Sequence, residues 1–133
     1  MFGTAKVGAV MIVAASLLGA CSGSSGLSSM LPASVNYNDT SWCVPPSLRI
    51  VLFRTAQRFG TVTVSSTHRW YLENRRVGGA RRSYHRRCQA VDFAVGGNAS
   101  EVVAFLKSQS AVGGYKYYQS GHFHIDTGPR RTW

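Results

Sequence analysis

The residues best suited to chemistry lie in two short stretches. One is Ser83-Tyr84-His85-Arg86-Arg87-Cys88-Gln89-Ala90-Val91-Asp92; the other is Gly121-His122-Phe123-His124-Ile125-Asp126. The first sets His85 and Asp92 where a loop enters an expected strand. Imidazole nitrogen and carboxylate oxygen are both good zinc ligands, and the second stretch offers a candidate for a third. Three protein ligands with an open fourth position make a catalytic zinc site rather than a structural one. Period-two alternation puts His122, His124 and Asp126 on one strand face and Phe123, Ile125 and Thr127 on the other. The apolar pair Phe123 and Ile125 should face the core, which turns both histidines toward a cleft. The alternative is that His122 and His124 form a polar outer face.

Taken in order, Ser83-x-His85, Ala90-x-Asp92 and His122-x-His124 resemble the M15 family of zinc D-Ala-D-Ala peptidases. The ending from Gly121 to Trp133 resembles its YcbK-like branch, small exported proteins that act on peptidoglycan. The resemblance runs from about Pro46 to Trp133 and includes Arg69, Asn74 and Gly78-Gly79-Ala80. It implies His85, Asp92 and His124 as ligands of one Zn2+ ion and His122 as general base or transition-state partner. Other members carry a glutamate three residues before the last ligand; that position here is Gly121. An imidazole suits proton transfer near neutrality. The resemblance also implies that Arg69 stabilises the polarised substrate carbonyl and that Ser83 helps hold a substrate carboxylate or amide. Asp126 could fix a ligand histidine, or act as base if His122 points away. The implied reaction is hydrolysis of a D-Ala or diaminopimelate peptide bond in peptidoglycan by metal-activated water. The enzyme would be a DD- or LD-carboxypeptidase or a crosslink endopeptidase. Cys88 departs from the pattern, standing where the family usually has glycine.

The elements that must position these residues begin after an export signal. Lys6 and the apolar run Val7 to Leu18 have signal-peptide form, too short for a comfortable membrane span. Leu18-Gly19-Ala20-Cys21 resembles a bacterial lipobox, so residues 1–21 read as a lipoprotein signal with lipidation at Cys21. The alternatives are an ordinary secretory signal cut near Ala20 and an uncleaved anchor. Residues 22–34, rich in Ser and Gly, read as a flexible tether, and residues 35–133 as one domain. The chain carries a formal net charge of +10, and +9 once residues 1–21 are removed. Export argues against nucleic acid and for anionic partners of the envelope, with peptidoglycan stem peptides foremost and a membrane reached through the lipid anchor. The expected location is the bacterial periplasm or cell envelope. An oxidising compartment also favours a disulfide between Cys43 and Cys88. The alternatives are Cys88 as a metal ligand, or Cys43 free with Cys88 buried.

Apolar spacing predicts a helix from about Leu48 to Phe59, capped by Ser47 and closed by Gly60. It predicts a second from Asn98 or Ser100 to about Gln109. Strands are expected at Thr61–Ser66, Gln89–Val95, Tyr115–Tyr118 and Gly121–Thr127, the last two as a hairpin. Asn36–Pro46 reads as a loop and Thr67–Tyr84 as a long connection bearing Arg69 and three arginine pairs. The expected fold class is α+β, a small antiparallel sheet with two or so flanking helices, hedgehog/DD-peptidase-like. Two non-enzymatic readings stand beside the peptidase: a catalytically inactive envelope lipoprotein that binds peptidoglycan, and a basic protein of the membrane interface.

Overall fold

The structure, a computed structural model, describes residues 33–133. The expected signal, its Cys21 and nearly all of the tether lie outside the described residues. Five strands form one sheet: β1 (Val35–Tyr37), β2 (Val62–Ser66), β3 (Ala90–Ala94), β4 (Gly114–Tyr117) and β5 (Phe123–Asp126), in the spatial order β1-β2-β3-β5-β4. Three helices accompany them: α1 (Pro46–Phe59), α2 (Tyr71–Arg76) and α3 (Ala99–Ser108). This is the expected small α+β fold. The sheet is antiparallel except at one edge, where β1 pairs in parallel with β2.

Alternation decides which face of the sheet does what. Val91 and Phe93 of β3, with Phe123 and Ile125 of β5, point into the apolar core built by Leu48, Val51 and Leu52 of α1 and Val102 and Leu106 of α3. Burying each such side chain stabilises the fold by roughly 1.5–3 kcal/mol. Intervening residues Asp92, His124 and Asp126 therefore emerge on the opposite face, which no helix of the core covers. Ala90, expected in the core with Phe93 and Val95, is buried on that opposite face. The strand loses its clean polar-apolar pattern because β3 is buried on both faces from Ala90 to Phe93.

Four local expectations are corrected. Helix α1 starts at Pro46, and Pro45 rather than Ser47 stands at its cap, with no side-chain hydrogen bond. Proline needs no partner for a missing N–H at a helix start. The Asn36–Pro46 loop begins inside β1 and contains a 3-10 turn at Ser41–Cys43. The long connection contains α2, which buries only Asn74 and so shows no apolar stripe. In the hairpin, β4 is shifted one residue earlier than expected, and β5 is shorter, starting at Phe123 so that His122 precedes it. Asn98 does cap α3, its side chain accepting from the N–H groups of Ser100 (2.9 Å) and Glu101 (3.4 Å).

Candidate active site

The register of the central strands builds the first half of the site. Asp92 of β3 lies directly opposite His124 of β5, and Ala90 opposite Asp126. Cross-strand partners on one face stand close enough to interact directly, and His124 Nδ1 is 2.7 Å from Asp92 Oδ1. His85 completes the group from a 3-10 turn (Tyr84–Arg87): its Nε2 lies 3.2 Å from Asp92 Oδ1 and 3.3 Å from His124 Nδ1. All three residues are buried, and one ligand atom from each lies within 4.8 Å of the others. Among the described residues this is the one group of three or more such side chains that could hold a metal ion.

Each imidazole has its other nitrogen anchored. His85 Nδ1–H donates to the Thr67 carbonyl at 2.8 Å, which leaves the Nε2 lone pair facing the group. An irregularity in the β2 register between Val64 and Ser66 precedes this carbonyl, and such bulges re-aim the residues beside them. His124 Nε2–H donates to Asp126 Oδ2 at 3.0 Å, which leaves Nδ1 open. A carboxylate or carbonyl behind a ligand histidine fixes its tautomer and raises its basicity.

Burial opposes ionisation of Asp92, but hydrogen bonds from His124 and His85 outweigh it and hold the carboxyl well below the ordinary carboxylate range. Burial likewise pulls the His124 pKa down, and hydrogen bonds to Asp126 and Asp92 overcome it, leaving it above the ordinary histidine value. Asp126, buried but bonded by His124, Arg131 and the Gly128 N–H, is also held well below its usual range. One carboxylate and two imidazoles thus converge, with one lone pair from each histidine directed inward and the second carboxylate, Asp126, behind His124.

The group forms the floor of a cleft of about 950 Å³. Arg69 lines it, pairing with Asp92 Oδ2 and donating from Nε to Ser66 Oγ at 3.1 Å. Ser83 lines it from the position before the His85 turn. His122 lies at the rim, its ring stacked on Tyr118 at 4.5 Å and its Nδ1 bonded to Ser120 Oγ at 2.7 Å. Phe123 and Ile125 are buried in the core, as alternation required. All of the predicted site residues of the folded domain thus reach one cleft, apart from the cysteines, which lie behind it. His68 does not line the cleft; its ring sits 5.9 Å from that of Trp42 and 4.6 Å from that of Trp70. All six residues of the arginine pairs are exposed, and Arg82 lines the cleft.

Cys43 and Cys88 form a disulfide with a Cα–Cα separation of 4.8 Å. It joins the Ser41–Cys43 turn to the residue that ends the His85 turn. Cys88 has φ 53°, the only positive φ at a non-glycine position among the described residues. That left-handed conformation is the one glycine adopts without penalty, which gives a physical reason for glycine at this position in the family pattern. Asn74 and Gly79 also gain a reason. Asn74 is buried, its Nδ2 donates to the Ala80 carbonyl at 2.8 Å, and a Cβ on Gly79 would strike its side-chain amide.

Cleft residues not anticipated as site residues include Tyr118, Arg131 and Trp133. The Trp133 ring meets His124 edge-on at 5.3 Å. Arg131 donates to both oxygens of Asp126, at 3.0 Å from Nη1 and 2.7 Å from Nη2. For Arg131 and Trp133 the one advance signal was membership of the terminal stretch Gly121–Trp133; the backbone pairing of Gly114 with Arg131 that folds it onto the sheet leaves no periodic trace.

Comparison with known proteins follows the same lines. The chain is 41% identical over 63 residues to the peptidoglycan L,D-endopeptidase MepK of Escherichia coli K12, a span that covers 47% of this chain and 35% of that protein. It is 40% identical over 62 residues to the probable peptidoglycan L,D-endopeptidase MepK of Haemophilus influenzae, covering 42% and 31% respectively. The chain thus spans about a third of the length of the curated relatives it matches. No solved structure matches it significantly. The model of the Peptidase M15 family matches residues 34–126, nearly the whole folded domain. The chain belongs to the M15 peptidase family.

Proposed function

We propose that this protein is a zinc-dependent peptidoglycan peptidase, an L,D-endopeptidase that opens crosslinks between stem peptides. The observation that carries the reading is the convergence of His85 Nε2, Asp92 Oδ1 and His124 Nδ1 on one buried point at the floor of an open cleft. Family membership and the names of the relatives support the reaction class and the bond. The donor set fits zinc: two neutral imidazole nitrogens and one carboxylate, with both histidines anchored from behind and room left on the cleft side. Bound there, zinc would supply Lewis acidity and a water whose pKa falls toward neutrality.

The chain's own residues carry the remaining work. His122 has its Nδ1 engaged by Ser120 and its ring held flat on Tyr118, while Nε2 has no hydrogen bond among the described residues. It takes the proton of the attacking water and passes it to the leaving amine. Arg69 keeps Nη1 without a protein partner among the described residues, and this edge donates to the substrate carbonyl oxygen as negative charge builds on it. Ser83 and the basic wall that includes Arg82 hold a carboxylate or amide of the stem peptide. Asp126 fixes His124. The protein works in the cell envelope, exported and anchored through Cys21.

The test is digestion of purified peptidoglycan, with product masses read by chromatography. Parallel samples contain chelator, restored zinc, or the His124→Ala variant. Zinc- and His124-dependent splitting of crosslinked dimers is expected. Release of free D-alanine alone would make it a carboxypeptidase. Failure of a folded, zinc-loaded protein to cut any bond would leave the peptidoglycan-binding lipoprotein as the surviving reading.

A further inference from the structure

We propose that Arg131 is a positioning residue of the reaction, clamping Asp126 so that His124 is held with Nδ1 open toward His85 and Asp92. This inference rests on the metal-centre reading above. Asp126 is fully buried and accepts hydrogen bonds from five donors. These are the N–H groups of Gly114 (3.1 Å) and Gly128 (2.8 Å), His124 Nε2 (3.0 Å), and both terminal nitrogens of Arg131. Arg131 is the one permanent cation among the five. A buried carboxylate that loses its cation is strongly destabilised, and it would recover by turning toward another proton source or toward water. Either movement releases the His124 ring.

The surroundings of Arg131 serve this contact. Its backbone N–H donates to the Gly113 carbonyl at 3.0 Å and its carbonyl accepts from Tyr115 N–H at 3.1 Å, so β4 fixes where the side chain starts. The guanidinium lies over the Tyr84 ring at 4.9 Å and the Trp133 ring at 5.0 Å. Glycine at 114 and 128 leaves it room: a Cβ there would come within 2.7 Å and 2.8 Å of Nη1. The guanidinium is committed to the fold rather than to substrate: Nη1 spends both hydrogens, on Asp126 and the Pro129 carbonyl (3.0 Å), and Nη2 spends one on Asp126. The two-point contact also demands arginine, since a lysine ammonium cannot reproduce a planar fork.

The experiment compares zinc affinity of the full-length wild type, Arg131→Gln, Asp126→Asn and the double variant, by competition with a chelating dye. Visible absorption of the cobalt-substituted proteins and the kcat and KM for crosslinked dimers accompany it. Arg131→Gln is expected to weaken zinc binding about 10–100-fold and to alter the cobalt spectrum. It should lower kcat and leave KM within about twofold. In the Asp126→Asn background the same change should add nothing, because the arginine acts through that carboxylate. Should Arg131→Gln fail to fold, Arg131→Lys carries the test, with a partial loss and the same non-additivity. Unchanged zinc affinity, losses that add in full to those of Asp126→Asn, or a rise in KM alone would overturn the inference. A folded wild type that binds no zinc would instead overturn the metal-centre reading, and this inference with it.

Discussion

His85 and His124 present one nitrogen each to the same point, yet the chain holds them by different means. His124 sits on β5, between β3 and β4, opposite Asp92, and its far nitrogen is held by a side-chain relay through Asp126 to Arg131. His85 sits on a 3-10 turn outside the sheet, held by the Thr67 carbonyl and by a disulfide at the residue that ends its turn. One half of the centre is positioned by strand register and charge, the other by a backbone anchor and a covalent bond. Charge suffices where a sheet already supplies rigidity; a turn of four residues needs something that does not depend on neighbours.

The largest effect should come from removing either imidazole. His85→Ala and His124→Ala are both expected to abolish peptidoglycan hydrolysis and zinc binding, measured by product analysis and metal content; survival of activity in one of them would show that the halves are not equivalent. Replacing both Cys43 and Cys88 by serine should destabilise the fold by about 4 kcal/mol in urea unfolding, the loop-closure value for a 45-residue separation. Asp126→Asn, by contrast, should leave the His85 half intact and weaken zinc binding about 10–100-fold. A smaller change separates the disulfide from the backbone it closes. With Cys43 replaced by serine, glycine at position 88 should be more stable than serine there by about 1 kcal/mol, because φ 53° costs glycine nothing.

The smallest effect concerns Asp39, which supports the His85 half from a distance. Its carboxylate accepts from Thr67 N–H at 2.8 Å and Thr67 Oγ1 at 3.1 Å, steadying the residue whose carbonyl anchors His85. Burial pushes its pKa up, but hydrogen bonds from Thr67 and Thr40 outweigh this and leave it below the ordinary value of 3.8. Its stabilisation is therefore complete above that value and lost as pH falls through the lower folded-state pKa. Wild type and Asp39→Asn should differ in urea midpoint near neutral pH and converge on strong acidification.

The same division governs what could be read in the sequence. Strand β5 was legible because Phe123 and Ile125 had to be buried, which fixed the face of His124 and Asp126. Helices α1 and α3 showed themselves by apolar spacing. Strand β1 did not, since three residues are too short a run for the alternation of Val35 and Tyr37 to stand out, and its parallel pairing with β2 is non-local. Helix α2 was missed because exposed Tyr71, Leu72 and Arg75 surround a single buried Asn74. The candidate metal ligands came from motif resemblance; the sheet register then supplied the reason Asp92 and His124 meet. Arg131 stayed hidden because only its return to Gly114 brings it to Asp126.

The placement of β3 and β5 also sets the order in which the centre should come apart. Both strands are hydrogen-bonded on each side, β3 by β2 and β5, and β5 by β3 and β4. Amide protons there should be among the last to exchange with solvent, and those of the Tyr84–Arg87 turn, outside the sheet, should exchange earlier. On warming, His85 would leave first and Asp92 and His124 would remain paired, so inactivation could precede global melting and be reversed on cooling.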